Sequence, residues 1–318
     1  MTMTQVGLGL AALGRPEYIN VRSDQNIDKS LDAFQHKSME VLDKAYTSGI
    51  RYFDTAPSYG KGEQFLLEWH LSRQHPDVLL STKWGYTYKA NWELGYEGAH
   101  EVKEHSLAKL KEQWAFSKQF LPSLGIYQIH SATFESGVLE NRDVHKELLR
   151  IKMDTGVKIG MSTSGKSQSE ILKAAMEVKV EGEILFDSFQ VTFNILEQST
   201  LPALKKAQKL GKTIIIKEGL ANGRIFPNSS FKHYAGRYDK LKKIATHYHV
   251  GVDALALRFI MDFLQPDYVL SGAGNTKQLE ENLMSNHIQL SNSDLQVMRE
   301  MEESVDSYWD ERSSLKWN

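Results

Sequence analysis

The chain has 318 residues, of which 25% are charged, and its formal net charge is −2. This balance indicates neither a basic nucleic-acid surface nor an acidic tail, so we expect small-molecule partners rather than nucleic acid or a membrane. The absence of cysteine excludes disulfides, thiolate catalysis and cysteine-based zinc sites. No signal peptide is visible, and no apolar run approaches the roughly 20 residues that cross a bilayer. We therefore expect a cytoplasmic protein.

Strand-like runs recur along the chain with helical patterns between them. The predicted strands cover residues 6–12, 50–54, 78–83, 126–130, 157–162, 185–191, 213–217 and 267–271. The predicted helices lie near residues 35–47, 63–73, 100–121, 143–153, 168–179, 201–210, 237–249, 253–264, 277–285 and 294–303. A long polar loop is predicted from 14 to about 32, an aromatic loop over 86–98, and a C-terminal loop over about 304–318.

Eight strands that alternate with helices indicate a parallel sheet, and eight units suggest its closure into a (β/α)8 TIM barrel. A doubly wound open sheet is the competing α/β architecture. The barrel is favoured because polar residues end several consecutive strands, whereas an open sheet concentrates its site at one switch point. No linker rich in proline and glycine divides the chain, so we predict a single domain over residues 1–318.

Three consecutive predicted strands end on residues that suit proton-transfer chemistry. Asp54, Lys83 and His130 stand at these ends, and Tyr59 follows Asp54 by five residues, beyond the strand-breaking Pro57. A phenol has an ordinary pKa of about 10, so a nearby cation would make it a readier proton donor. Together these four residues predict a catalytic site at the carboxyl ends of the strands.

This arrangement resembles the aldo-keto reductase family, whose members carry Asp and Tyr in a DTAxxYG-like stretch, followed by Lys and His at the next two strand ends. The resemblance covers roughly the whole chain and implies NAD(P)H-dependent reduction of an aldehyde or ketone, or the reverse reaction. Tyr59 would donate the proton and Lys83 would lower its pKa. Asp54 would position Lys83, and His130 would orient the carbonyl group.

The resemblance also implies a set of cofactor-binding residues on the later strands and loops. Ser162, Thr163 and Gln190 would bind the nicotinamide carboxamide, and the loop after the seventh strand would span the pyrophosphate. The segment after the eighth strand would hold the adenosine end. The complete set is Gly9, Leu10, Ser162, Thr163, Gln190, Lys217, Gly219, Leu220, Asn222, Gly223, Gly272, Gly274, Asn275, Gln278, Glu281 and Asn282.

Several of these positions depart from the family pattern. Thr163 replaces an asparagine, and Lys217 stands where many members have an aromatic residue stacked on the nicotinamide. Gly274 and Gln278 occupy the two places where NADP-preferring members use arginine against the 2′-phosphate. We expect NADP(H) to be favoured with NAD(H) also used, and no metal.

Aromatic residues follow the third predicted strand, and Trp84 and Tyr86 are the candidates to line the substrate pocket. Two other functions stay open. One is a barrel that binds the cofactor mainly as a regulatory subunit, and the other is a lyase that forms a Schiff base on Lys83. The residues do not identify the substrate, the oligomeric state or the favoured direction of reaction.

Overall fold

A computed structural model describes residues 4–21 and 28–317 of the chain. Expectations for residues 1–3 and 318, and for 22–27 of the long polar loop, lie outside these ranges. Within the described residues the strands are β1 Gln5–Gly9, β2 Tyr52–Asp54, β3 Leu79–Trp84, β4 Tyr86–Tyr88, β5 Glu101–Lys103, β6 Leu124–Ile129, β7 Lys158–Ser162, β8 Lys179–Val180, β9 Glu183–Ile184, β10 Ser188–Thr192, β11 Thr213–Lys217 and β12 Tyr268–Ser271.

The helices connect these strands and surround them. In the same described ranges they are α1 Leu31–Thr47, α2 Gly62–Arg73, α3 Leu107–Ser117, α4 Arg142–Thr155, α5 Gln168–Ala175, α6 Leu201–Lys209, α7 Ala235–His247, α8 Val252–Phe263, α9 Thr276–Leu283, α10 Asn292–Arg299 and α11 Val305–Ser313. None of these helices is both long enough and apolar enough to cross a membrane.

Eight parallel strands of the described chain close into a barrel in the order β1–β12–β11–β10–β7–β6–β3–β2. The (β/α)8 prediction is therefore confirmed. β4 and β5 form a separate two-stranded hairpin, as do β8 and β9. Because the barrel strands run parallel, all their carboxyl ends lie on one face, and side chains from distant parts of the sequence meet there.

The barrel interior changes from apolar to polar along its axis. Tyr52 on β2 and Ile126 on β6 belong to a small apolar cluster inside the barrel. Asp54 and Gln128 follow two residues later on the same strands, and they point to the same interior because strand side chains alternate between faces. A polar layer thus lies on the carboxyl-end side of the apolar layer, where TIM barrels form their sites.

Short polar side chains fix the ends of several helices. Ser30, Ser106 and Asn141 precede α1, α3 and α4, and each side chain accepts a hydrogen bond from the backbone N–H three residues later. These bonds satisfy donors that a helix leaves unpaired at its first turn. Gly156 ends α4 at φ 75°, a left-handed conformation that glycine adopts without steric cost.

Two connections differ from the prediction. The expected aromatic loop over residues 86–98 begins with β4, which pairs with β5, so α3 begins at Leu107 rather than near residue 100. The expected C-terminal loop over 304–318 contains α11, which Ser304 caps and whose Tyr308 is fully buried. Both segments are ordered by pairing or burial against distant parts of the chain, which local periodicity does not encode.

Candidate active site

Asp54 and Lys83 form a buried ion pair in the polar layer of the barrel. Lys83 Nζ donates to Asp54 Oδ2 at 2.5 Å and to the carbonyl oxygen of Thr55 at 2.9 Å. Asp54 Oδ1 accepts from the side-chain amides of Gln128 at 3.2 Å and Gln190 at 2.9 Å. Burial lowers the pKa of Lys83 below its ordinary 10.5, and the Asp54 carboxylate opposes this shift. The pair thus forms a buried, hydrogen-bonded floor beneath the cavity.

Tyr59 lies on the loop after β2, directly over this floor. Lys83 Nζ is 4.7 Å from the centroid of the Tyr59 ring, and Arg15 Cζ is 5.1 Å from it. The loop is held in place by a close approach to Gly14, where a Cβ atom would lie only 2.1 Å from the Tyr59 carbonyl oxygen. Only glycine lets the two backbones touch in this way.

The pKa of Tyr59 is raised well above its ordinary value of 10, first by burial and next by the Asp54 carboxylate. Arg15 is the cation that lowers it. We expected Lys83 to be this cation, but its charge is opposed by the carboxylate that it contacts at 2.5 Å. The phenol therefore keeps its proton near neutral pH, which is the state that a general acid needs.

His130 follows β6 and packs against Tyr59. Its ring meets the Tyr59 ring edge to face at a centroid distance of 5.6 Å, and Nδ1 lies 3.4 Å from Ser58 Oγ. Burial lowers the pKa of His130 well below 6.5, and Lys83, Lys217 and Arg15 add to the shift. A neutral imidazole carries one N–H, so His130 has the state of a hydrogen-bond donor to a carbonyl oxygen.

Arg15 joins the loop after β1 to the mouth of the cavity. Its guanidinium forms a short ion pair with Glu101 of β5 and donates to the Ser58 carbonyl oxygen at 3.3 Å. The rings of Tyr18 and Trp317 lie 4.8 and 4.7 Å from Arg15 Cζ. The early loop, the β4–β5 hairpin and the C-terminal segment therefore converge above Tyr59.

A cavity of about 230 Å³ opens at the carboxyl ends of the strands and brings most of the predicted residues together. It extends from Tyr59 along the loops after β11 and β12 to α8 and α9. The predicted residues that line it are Asp54, Tyr59, His130, Gly9, Gln190, Lys217, Gly219, Leu220, Asn222, Gly223, Gly272, Gln278 and Asn282.

Other predicted cofactor residues lie behind this wall. Leu10 is fully buried in the apolar core. Ser162 Oγ accepts from the backbone N–H of Ser131 at 2.8 Å, and Thr163 Oγ1 donates to the Ala132 carbonyl oxygen at 3.4 Å. Both hydroxyls therefore take part in joining the ends of β6 and β7.

Lys217 lines the cavity where an aromatic residue was expected from the family pattern. Its Nζ donates to Ser164 Oγ at 2.7 Å and to Thr192 Oγ1 at 2.8 Å. Burial lowers the pKa of Lys217 to about 8. The next residue, Glu218, accepts two hydrogen bonds from Arg312 of α11, at 2.9 and 3.1 Å.

The segment between β12 and α9 forms an ordered turn. Asn275 caps α9 by accepting from the Gln278 backbone N–H at 2.9 Å, and the Gln278 side chain accepts from the Gly274 N–H at 2.8 Å. Asn282 Nδ2 donates to Ser271 Oγ at 2.8 Å. Gln278 and Asn282 line the cavity, whereas Gly274, Asn275 and Glu281 are not part of its wall.

The two predicted substrate residues have different positions. Trp84 is fully buried and packs edge to face on His105, so it is not part of the cavity wall. The reason is strand alternation, since Lys83 occupies the barrel interior and its neighbour points outward. Tyr86 instead contacts the ring of His130 at a centroid distance of 4.9 Å. Tyr86 is therefore adjacent to His130, but like Trp84 it is not among the residues of the cavity wall.

Several cavity residues were not predicted from the sequence, among them Arg15, Glu101, Ser164, Glu218 and Arg312. Ser164 and Glu218 directly follow predicted residues at strand ends, and this proximity was a usable signal. Arg15, Glu101 and Arg312 lie in connecting or terminal segments without such a signal. Among the described residues, no group of three or more His, Cys, Asp or Glu side chains is arranged to hold a metal ion.

Comparisons with known proteins agree with this geometry. A model of the aldo/keto reductase family matches residues 5–303. The chain is 22% identical to the NADH-specific methylglyoxal reductase of Escherichia coli, over 96% of this chain and 97% of that protein. A local match, 30% identical, covers 37% of this chain but only 38% of an uncharacterized oxidoreductase from Bacillus subtilis.

The same fold occurs in a solved structure, the glycerol dehydrogenase of Gluconobacter oxydans. The two superpose with a TM-score of 0.70 at 18% identity, over 95% of this chain and 92% of that one. The family model spans nearly the whole barrel, including every strand that carries the catalytic set. The chain is therefore an oxidoreductase that belongs to the aldo/keto reductase family.

Proposed function

We propose that the protein reduces an aldehyde or ketone to the alcohol with a reduced nicotinamide dinucleotide, and that Tyr59 donates the proton. The observation that carries this proposal is the pairing of a protonated phenol with a neutral imidazole in one cavity, above the buried Asp54–Lys83 pair. Both groups have the protonation state that donation to a carbonyl oxygen requires.

The cavity fits the cofactor. Its wall after β11 includes Gly219 and Gly223, and glycine lets backbone N–H groups approach a pyrophosphate closely. Asn222 also lines this wall, and its Oδ1 is buried without a partner among the described residues, so it can accept a hydrogen bond from the cofactor. When bound, the cofactor supplies the hydride.

The chain's own residues then have distinct tasks. The hydride forms a new C–H bond at the carbonyl carbon, and the oxygen takes the Tyr59 proton. The products are the alcohol and the oxidised cofactor, and Tyr59 recovers its proton from solvent. His130 polarises and orients the carbonyl by donating its N–H. The Asp54–Lys83 pair lies beneath the phenol, with Lys83 Nζ 4.7 Å from the centre of the Tyr59 ring, and supports its position.

We further propose that NADH competes effectively with NADPH. Gln278 offers no guanidinium to a 2′-phosphate, and its side chain is engaged by the Gly274 N–H. Asp253 in the first turn of α8 lines the same cavity and adds a carboxylate, which repels a phosphate group. The Escherichia coli relative described as NADH-specific is consistent with this proposal.

The substrate is proposed to be a small, polar carbonyl compound or its alcohol. The rim near Tyr59 carries the Arg15–Glu101 pair, Tyr18 and Ser131 rather than a continuous apolar surface. Such a rim favours substrates with hydroxyl or further carbonyl groups, because these replace the hydrogen bonds that the polar rim loses on desolvation. The names of the methylglyoxal reductase and glycerol dehydrogenase relatives support this class.

A Schiff-base lyase is the weaker alternative. Lys83 is fully buried, contacts Asp54 at 2.5 Å and is not part of the cavity wall, so a substrate carbonyl has no access to it.

The test is Tyr59→Phe, assayed by cofactor consumption with a panel of small aldehydes. We expect the rate to fall about 10²–10⁴-fold, the usual loss when general acid catalysis is removed, while the cofactor Kd changes only a few-fold. Tyr88→Phe is the matched control, because Tyr88 lies in the hairpin outside the cavity wall. Retention of activity in folded Tyr59→Phe would refute the assignment.

A further inference from the structure

Lys217 stands on the wall of the cavity opposite the catalytic ion pair. In the eight-stranded order, β11 lies four strands from β3 in either direction, so Lys217 and Lys83 face each other across the barrel. Tyr59 and His130 line the same cavity from the β2 and β6 side. A molecule bound between them therefore has the phenol on one side and the Lys217 ammonium on the other.

The charge of Lys217 is not neutralised by direct contact. Its Nζ donates to two hydroxyls, those of Ser164 and Thr192. Among the described residues no carboxylate forms an ion pair with Lys217. Glu218 pairs with Arg312 at 2.9 Å and reaches Lys217 through the Thr192 hydroxyl, which donates to Glu218 Oε2 at 3.3 Å.

The other charges at the catalytic end are paired. Asp54 is paired with Lys83, and Arg15 with Glu101. The Glu218–Arg312 pair is also neutral overall, and the Asp253 carboxylate lies toward α8. Lys217 therefore leaves the catalytic end of the cavity with one excess positive charge.

The position of this charge matters for a nicotinamide ring, and this step rests on the proposed function. To reach a carbonyl carbon whose oxygen lies at Tyr59, the ring would occupy the space between Tyr59 and the opposite wall. The reduced ring is uncharged, whereas the oxidised ring carries a positive charge. Like charges a few ångströms apart repel strongly at the effective dielectric constant of about 20 found in proteins.

We propose that Lys217 sets the redox preference of the site, by making it bind the reduced cofactor more tightly than the oxidised one. The oxidised cofactor is then released more readily than the reduced one. The hydroxyls of Ser164 and Thr192 act as positioning groups, because they hold the ammonium in the wall.

The test measures equilibrium binding rather than turnover. Kd values for NADPH, NADP⁺, NADH and NAD⁺ are determined by calorimetry at pH 7 for the wild type, Lys217→Met and Lys217→Arg. Lys212→Met is the matched control, since Lys212 precedes β11 at its other end and donates to the Phe186 carbonyl oxygen at 2.7 Å.

We expect the ratio of oxidised to reduced Kd to fall at least about tenfold in Lys217→Met, chiefly through tighter binding of the oxidised form. Tenfold is about 1.4 kcal/mol, the repulsion of two unit charges about 12 Å apart at an effective dielectric constant of about 20. Lys217→Arg and Lys212→Met should keep the wild-type ratio. If folded Lys217→Met keeps the wild-type ratio of oxidised to reduced Kd, the inference is wrong. It is also wrong if that variant keeps the ratio and loses only its affinity for an acidic substrate.

A second measurement covers the case in which Lys217→Met fails to fold. The wild-type ratio should fall as pH rises from 7 to about 9, because Lys217 loses its proton near pH 8. Around it, the pKa of Glu218 is near 2, that of His130 lies well below 6.5, and that of Arg312 is raised. The remaining charges named at this end of the cavity are the Asp54–Lys83 and Arg15–Glu101 pairs. A ratio independent of pH would overturn the inference.

The outcomes also separate this inference from the proposed function. If neither redox form of either dinucleotide binds, both fail. If both forms bind and Tyr59→Phe is inactive, but the ratio is insensitive to Lys217 and to pH, the inference alone fails.

Discussion

The buried ion pair beneath Tyr59 allows a quantitative prediction about stability and activity together. We consider Asp54→Asn, Lys83→Met and the double variant. In the wild type the two side chains are at most 2% exposed and 2.5 Å apart. Each charge therefore depends on the other to compensate for the hydration free energy that both lost on folding.

Removing one partner leaves an uncompensated charge or an unmatched donor in the barrel, which costs about 3–5 kcal/mol. Removing both avoids that penalty. The introduced asparagine would still offer an acceptor to Gln128 and Gln190, and the introduced methionine would fill much of the lysine's volume. We expect the double variant to be destabilised by less than the sum of the single variants, with a coupling energy of about 2–3 kcal/mol.

The assay is urea unfolding followed by circular dichroism at pH 7, with turnover of each variant measured in parallel. Turnover should be lost in both Lys83→Met and the double variant, even where stability recovers, because the charged floor under the phenol is gone. Additive single and double free energies would show that the two charges do not compensate each other and would refute this reasoning.

Three further predictions concern neighbouring features. Gln278→Arg should raise the kcat/KM ratio of NADPH over NADH, and an unchanged ratio would place the 2′-phosphate elsewhere. Glu63→Gln should leave the free energy of unfolding unchanged near pH 4 and raise it at pH 8 by up to about 3 kcal/mol, at 1.36 kcal/mol per pKa unit. Burial raises the Glu63 pKa from 4.5 to about 7. The contribution of the protonated Glu63 side chain to wild-type stability is therefore lost as pH rises through that range. Glutamine stays uncharged and can still accept hydrogen bonds from Thr82 and Ser117. Urea unfolding at the two pH values checks this, and equal effects at both would contradict it. Arg312→Met should leave Glu218 without its partner and accelerate hydrogen exchange in α11; unchanged exchange would show that other contacts hold the helix.

The fold and much of the candidate site could be predicted because they depend on patterns that are local in the sequence. The alternation of strands and helices identified the barrel, and parallel strands place their carboxyl ends on one face. Asp54, Lys83 and His130 could therefore be predicted to meet from their positions at strand ends alone. Tyr59 followed from the loop that Pro57 begins.

The tertiary structure alone decided which groups these residues contact. Gln190 forms a hydrogen bond with Asp54, 136 residues away in the sequence, and Arg15 forms an ion pair with Glu101, 86 residues away. Arg312 pairs with Glu218, so within the part of the chain that the structure describes Lys217 has no ion-pair partner of its own. Periodicity describes only which face of its own element a residue occupies. The contacts of these side chains depend instead on the relative positions of helices and strands that are distant in the sequence. Closure of the whole barrel sets those positions.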